Sequence, residues 1–389
     1  MAKPIPILLL IRELGIGGSE RQLSEIAKNL DPSRFEVHVG CFIEHGLRAG
    51  ELKNVRVHRF PVRSLYRPSV IAGALDLRRY IRQNGIKLVH PFDYPTTLFA
   101  VPLARVFGVP VVVASQRCDR HLIPQPHRTG LRIADRFMHA IVVNCEFVKG
   151  LLIRNENLAE ARIHLCHNGV DIKRFFPAPA QRPAFLQDAS LVVGAVSALR
   201  PEKGMRILVD AFAGLHRRLP SARLVIVGDG PVRAELTAQI AGLNLEGAVH
   251  LQPATSDVTD WYRTFDIFVL PSLSEAFSNS LMEAMACGCA VIASNLGGNP
   301  ELVEHGRTGL LFPANDSQTL AEHLQSLGAD AQLRAAIASN AHELIHQRFS
   351  SRNSADRMGR IYTTLLTAAG MRIVNGSPTL NSESSVAPR

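Results

Sequence analysis

Short, near-continuous apolar runs alternate with amphipathic segments along almost the whole chain, and this rhythm constrains the fold more than any other feature. In the first half the runs are 5–11, 35–42, 55–62, 86–90, 109–114, 140–143 and 162–166, with segments of helical spacing such as 19–30 and 69–83 between them. A strand that is apolar on both faces has to be covered on both faces. Such runs joined by helices therefore predict a parallel sheet wound on both sides. The segment 175–188 breaks the rhythm with Pro177, Pro179 and Pro183 and is read as a linker. The rhythm then restarts with 191–198, 223–227, 248–252, 266–270, 290–293 and 309–312. The expected class is α/β, with two Rossmann-like, doubly wound domains at 1–176 and 189–349 facing a central cleft. A length of 389 residues suits two domains. A helix at 351–367 follows the closure of the second set, and 370–389 reads as a flexible polar tail.

Several classes are excluded by what the chain lacks. No apolar run reaches the ~18 residues of a membrane span. The run 5–11 meets Arg12-Glu13 without a small-residue cleavage site, so it reads as a buried strand and not as a signal peptide. The six cysteines (Cys41, Cys118, Cys145, Cys166, Cys287, Cys289) show no Cys-x-x-Cys spacing, which fits a reducing cytoplasm. No Asp-x-Asp is present to offer a divalent metal to a diphosphate, and the histidines form no ligand spacing. No metal and no cofactor is expected.

Charge is unevenly placed. Of the net +9, residues 1–176 carry 26 Lys/Arg against 15 Asp/Glu, whereas residues 177–389 carry 17 against 19. Between Arg56 and Arg82 stand seven arginines and a single acid, Asp76. The first half is expected to meet something anionic, such as a lipid surface or a phosphorylated acceptor, or else to be a solvated basic face. Nucleic acid is disfavoured, because the chain shows no nucleic-acid reading motif.

Two motifs carry chemistry. Gly15-Ile16-Gly17-Gly18-Ser19-Glu20 follows the first strand and opens a helix, where glycines permit close backbone approach and the helix start offers N–H groups to an anion. It lacks the third glycine of a dinucleotide fingerprint, and the second strand ends without the required acid. The stronger signal runs from Leu270 to Gly288. It places Glu275 on a loop at the carboxyl end of a strand, Ser278 as the N-cap of a helix, and Glu283 inside that helix among Leu281, Met282, Ala284, Met285 and Ala286. The first-turn N–H groups of Asn279, Ser280 and Leu281 suit a phosphate.

Glu275 and Glu283, with seven residues between them, resemble the Glu-x7-Glu motif of the retaining family-4 glycosyltransferases of GT-B fold (glycosyl transferases group 1). Gly17-Gly18-Ser19-Glu20 is similar to that family's glycine loop, and Asn168-Gly169-Val170-Asp171 with Phe175 to the segment closing its first domain. Pro201-Glu202-Lys203-Gly204, Val227-Gly228-Asp229-Gly230-Pro231 and Gly297-Gly298-Asn299-Pro300-Glu301 follow in family order, so the resemblance spans about 5–368. It implies a GT-B enzyme that moves a hexose-type sugar from a nucleotide-diphosphate sugar to a glycan or lipid-linked acceptor. It also implies a cytoplasmic protein, peripheral at the inner membrane face. Glu283 would take the ribose hydroxyls and Glu275 the transferred hexose. Lys203 would hold the diphosphate, Gly17 and Gly18 would admit donor and acceptor to the backbone, and Asn299 would lie at the sugar. The 351–367 helix would cross back onto the first domain. Two departures stand out. Ala198 replaces a phosphate-binding arginine, and Arg117 stands near where many members carry a histidine. Arg200 is expected to turn back and join Lys203 on the diphosphate; the competing reading has Arg117 supply that charge from across the cleft. The rival functions are a nucleotide-sugar epimerase or phosphorylase, and a binding protein of the same fold without transferase activity.

Overall fold

The computed structural model describes residues 3–15, 17–44 and 49–372. All thirteen apolar runs are strands. The first seven are β1 (Ile5–Glu13), β2 (Phe35–Ile43), β3 (Arg56–Arg59), β4 (Leu88–Pro91), β5 (Val111–Gln116), β6 (Ala140–Val143) and β7 (Ile163–Leu165). The rest are β8 (Leu191–Val196), β9 (Ala222–Val227), β10 (Val249–Gln252), β11 (Ile267–Leu270), β12 (Ala290–Ser294) and β13 (Leu310–Phe312). The apolar run 55–62 outlasts its strand for a local reason. The Phe60 N–H still reaches the Cys41 carbonyl at 2.8 Å, but Pro61 has no donor to continue the ladder.

The first sheet has the order β3-β2-β1-β4-β5-β6-β7 and the second β10-β9-β8-β11-β12-β13, with parallel pairing such as Ile5↔Phe35 and Leu191↔Ala222. In each, the winding direction reverses once, between β1 and β4 and between β8 and β11. Crossovers leave those two points on opposite faces, so a crevice opens beyond the strands' carboxyl ends there, where open α/β sheets bind ligands. The glycine loop leaves β1 at one switch point. The segments 197–204 and 271–278 leave β8 and β11 at the other.

Alternation along β1 shows the double covering. Leu8 and Leu10 pack with Val89 and Phe99, while Ile7, Leu9 and Ile11 pack on the other face with Met358 and Tyr362. The last two belong to the C-terminal helix Ser351–Ala368, which lies against the glycine-loop helix Gly18–Asn29 of the first domain. Its anchor is polar: Tyr362 Oη lies 2.6 Å from Nδ1 of buried His90, whose Nε2 meets Ser115 Oγ at 2.9 Å. Burial holds His90 well below its usual range, so the ring is neutral and donates to one partner while accepting from the other.

The proline-rich connection is packed down. Phe175 and Leu186 are buried, and the Arg182 guanidinium reaches the Ala189 carbonyl at 3.0 Å and Asp266 at 3.2 Å. Among the described residues no helix is long and apolar enough to cross a membrane. Of the expected tail, residues 373–389 lie outside the described residues, as does Ile16 of the glycine loop.

Candidate active site

The two switch points face each other across a cleft of about 740 Å³. On its C-terminal wall, Lys203 ends a short turn after β8 and Glu275 lies on the loop after β11. Backbone contacts align these two segments. Gly204 has φ +64°, and a Cβ there would meet the Pro271 carbonyl at 2.0 Å, so only glycine lets the turn sit so close. The Leu273 N–H donates to the Glu202 carbonyl at 2.8 Å. The result is a largely buried ion pair, Lys203 Nζ to Glu275 Oε2 at 2.8 Å, with Ser272 Oγ at 3.4 Å from the same oxygen. From behind, Gly297 at φ +59° approaches so closely that a Cβ would lie 1.9 Å from the Glu275 carbonyl oxygen.

Glu283 lies in the helix Asn279–Ala286, which is short and apolar on all sides but one. At 2% exposure its carboxylate is nearly dry. The Tyr262 hydroxyl donates to Oε2 at 2.9 Å, and the Arg21 guanidinium, reaching across from the glycine-loop helix, pairs with Oε1. Burial pushes the Tyr262 phenol well up, so it remains a donor.

Asn279, at the start of the same helix, clasps the domains together. Its amide donates to the Gly18 carbonyl at 3.2 Å, and its oxygen accepts from Gln22 at 3.1 Å and Asn168 at 2.9 Å. Gln22 in turn exchanges two hydrogen bonds with the Gly169 backbone, and Asn168 accepts from Arg117 at 2.7 Å. Arg117 stacks over Phe92 at 4.8 Å, and burial pushes its guanidinium down to about 10. A second clasp joins the domains further along. Glu301 accepts from the N–H groups of Glu146 and Phe147, at 2.9 and 3.1 Å, at the start of the helix Glu146–Glu156, and from His167 Nε2 at 3.1 Å.

Gly17, Gly18, Lys203, Arg200, Glu275, Asn279, Ser280, Glu283 and Arg117 all border the cleft. Two expected contacts do not. Leu281 is fully buried and its N–H is taken by the capping Ser278 hydroxyl at 3.3 Å, so the first turn presents Asn279 and Ser280 alone. Asn299 is likewise buried, with its N–H on Leu296 and its side-chain amide on the Ser294 carbonyl. Arg200 is at the rim, its side chain 65% exposed and nearest to Glu202 at 3.9 Å. The residues that sequence reasoning missed are Arg21, Gln22 and Tyr262. Arg21 directly follows the recognised Gly-Gly-Ser-Glu, but only the folded chain shows which carboxylate it meets.

A smaller cavity of about 220 Å³ opens at the carboxyl ends of β1, β2 and β4. Its walls are apolar and aromatic, including Ile43, Val62, Tyr66 and Tyr94, with Arg12 and Arg63 beside them. Arg12 borders this pocket and Glu13 the main cleft, so the two open beside adjacent residues of one strand end. No group of three His, Cys, Asp or Glu able to hold a metal ion occurs among the described residues.

Comparison with known proteins agrees with this geometry. The family model described as Glycosyl transferases group 1 matches residues 180–344, and the one described as Glycosyltransferase Family 4 matches residues 16–174. The D-inositol 3-phosphate glycosyltransferase of Thermobispora bispora is 30% identical over 369 residues, covering 87% of this chain and 84% of that protein. Its counterpart from Saccharomonospora viridis is 31% identical over 242 residues, and the match spans 56% of that protein's length. Among solved structures, HepE of Anabaena in complex with UDP-glucose superposes with a TM-score of 0.80 at 25% identity, over 92% of this chain and all of that one.

The Glu301 clasp makes a pH prediction. Burial alone would raise its carboxyl, but the His167 imidazole and the two N–H groups outweigh this and hold it below the usual range. The stability it contributes is therefore complete above the unfolded-state value of ~4.3 and is lost as pH falls through the lower folded value. Small-angle scattering from pH 7 to 3 should show the two domains parting in acid, with the step reduced in Glu301→Gln. An identical acid profile in that variant would show that this contact does not hold the cleft closed.

Proposed function

This chain belongs to the glycosyl transferases group 1 family, with the GT-B fold, and on that premise we propose that it is a retaining hexosyltransferase using a nucleotide-diphosphate sugar. The observation that carries the reading is the convergence of Lys203, Glu275 and Glu283 on one cleft wall at a switch point. In this reading Glu283 accepts hydrogen bonds from the ribose diol and Lys203 neutralises the leaving diphosphate. Glu275, released from Lys203 by the phosphates, faces the sugar and stabilises positive charge as it develops at the anomeric carbon. The anomeric carbon–oxygen bond to the diphosphate breaks, the acceptor oxygen bonds on the same face, and the acceptor's proton goes to a diphosphate oxygen. No divalent metal enters this reading. Arg200, exposed and only loosely held, is the cation that joins Lys203, whereas Arg117 is fixed by Asn168 and Phe92. The UDP-glucose bound to HepE supports a donor of this class.

The acceptor side is the first domain. The pocket between Tyr66 and Tyr94 offers an apolar floor with two guanidinium groups, which suits a glycan carried on an anionic lipid. The helix Ser69–Gln83 beside it turns Ile71 and Leu75 outward, 63% and 59% exposed, on the same face as Arg78 and Arg82. This surface fits the anionic inner face of a cytoplasmic membrane.

Two experiments test these readings. Glu283→Ala should weaken donor binding by about 1.5–3 kcal/mol, as expected for hydrogen bonds to a charged group, whereas Glu275→Ala should lower kcat far more than donor affinity. In the same titration Arg200→Ala should lose more affinity than Arg117→Ala; the reverse order would assign the phosphate charge to Arg117. Folded variants of both glutamates with unchanged kinetics would remove the pair from the site, and nucleotide release without acceptor at the full rate would speak against transfer. For the membrane, replacing Arg63, Arg67, Arg78 and Arg79 with Gln should abolish binding to vesicles containing anionic lipid. Equal binding of the native chain to neutral vesicles would contradict an electrostatic surface.

A further inference from the structure

Arg21 belongs to the first domain, yet its guanidinium closes on the Glu283 carboxylate of the second. The Glu283 side chain is 3% exposed and that of Arg21 20%. A carboxylate so far from water needs a counter-charge. Of the cations on this wall, Lys203 is engaged by Glu275 at 2.8 Å and Arg200 lies at the exposed rim nearest Glu202, so Arg21 supplies it. The pair also stands between two spaces. Both side chains border the main cleft, and both border a chamber of about 230 Å³ behind it. That chamber is lined by three further carboxylates, Glu25, Glu51 and Asp171, and by two cations, Lys28 and Arg174, the latter 3.8 Å from Glu51. Glu25 is one turn along the same helix from Arg21, in the i,i+4 relation that lets two side chains meet. Lys28 already bridges them, at 2.6 Å from Glu25 and 3.8 Å from Glu51. The guanidinium therefore meets Glu283 at the cleft and has further carboxylates along the chamber, with Glu51 bordering both spaces.

We propose that Arg21 is a resident competitor in the donor site: it occupies the carboxylate that the ribose diol requires, and donor binding transfers it into the chamber toward Glu25 and Glu51. The proposal rests on the reading of Glu283 as the ribose acceptor. A diol arriving at Glu283 brings two O–H donors but no charge, so it displaces the cation only if Arg21 finds a second carboxylate, and the chamber provides one. Apparent affinity is lowered by the fraction of molecules in which the pair is closed. The exchange also undoes one of the contacts holding the domains together, so that occupancy of the second domain is felt by the glycine-loop helix of the first. If Arg21 instead gripped the donor's diphosphate, its removal would have the opposite effect on affinity. Nucleosides separate the two roles, because they carry the diol without phosphate.

The experiment is calorimetric titration of the full chain. UDP, GDP and ADP are tried first on the native protein, and the nucleoside of the one that binds is then titrated into the variants. Arg21→Met, which keeps an apolar stem near Phe175, should bind the nucleoside about tenfold more tightly, the equivalent of one net charge-assisted contact removed from the free state. In a Glu283→Gln background the same change should do nothing. Unchanged or weaker nucleoside binding by folded Arg21→Met overturns the proposal. Should that variant fail to fold, Arg21→Lys, which keeps charge but loses the planar fork, must still show a smaller gain, and its absence is equally decisive. If none of the three diphosphates binds the native chain, the donor-site reading itself falls and takes this proposal with it.

Discussion

Glu283 is nearly dry in the second domain, and the cation that makes this tolerable comes from the first. Much of the cleft follows from that arrangement. A buried carboxylate without a partner is too costly to keep, so the domains have to meet where Glu283 lies, and the glycine loop has to bring its helix within reach of it. The neighbouring contacts follow the same rule. Asn279 satisfies its amide on Gly18, Gln22 and Asn168, and Glu301 caps a helix of the opposite domain. The joint around the cleft thus relies on exchangeable polar groups as well as apolar area. A polar ligand can replace such groups one by one at little net cost, since each hydrogen bond given up is matched by one gained.

The fold was legible because strand and helix periods are local. Each of the thirteen apolar runs carried its own signal, and the shortening at Pro61 followed from a missing donor. The position of Glu275 was legible for the same reason, since a loop after a buried strand in an open α/β sheet opens on the ligand crevice. Leu281 and Asn299 were misplaced because adjacency in sequence does not say which N–H groups a cap or a turn has already taken. Arg21 and Tyr262 were invisible for a deeper reason. Their role lies in meeting Glu283 from an N-terminal helix and from a helix before β11, and no local pattern encodes a pairing between segments so far apart.

The charge asymmetry finds its place in this arrangement. The excess of arginine is concentrated on the half whose pocket carries Arg12 and Arg63 at its edge, while the half with Glu275 and Glu283 is close to neutral. A donor that brings its own negative charge to a nearly neutral wall needs only the one or two cations found there. An anionic acceptor approaching from the other side meets many.

Whether one wall of the cleft is a nucleotide-sugar site is decided by the structure of the chain crystallised with the nucleoside diphosphate that binds it. In that structure the ribose hydroxyls should lie within hydrogen-bond distance of Glu283, the diphosphate against Lys203, and Arg21 should be withdrawn from the carboxylate. A nucleotide lodged elsewhere, with Arg21 still closed on Glu283 and Lys203 still on Glu275, would contradict a nucleotide-sugar site on this wall.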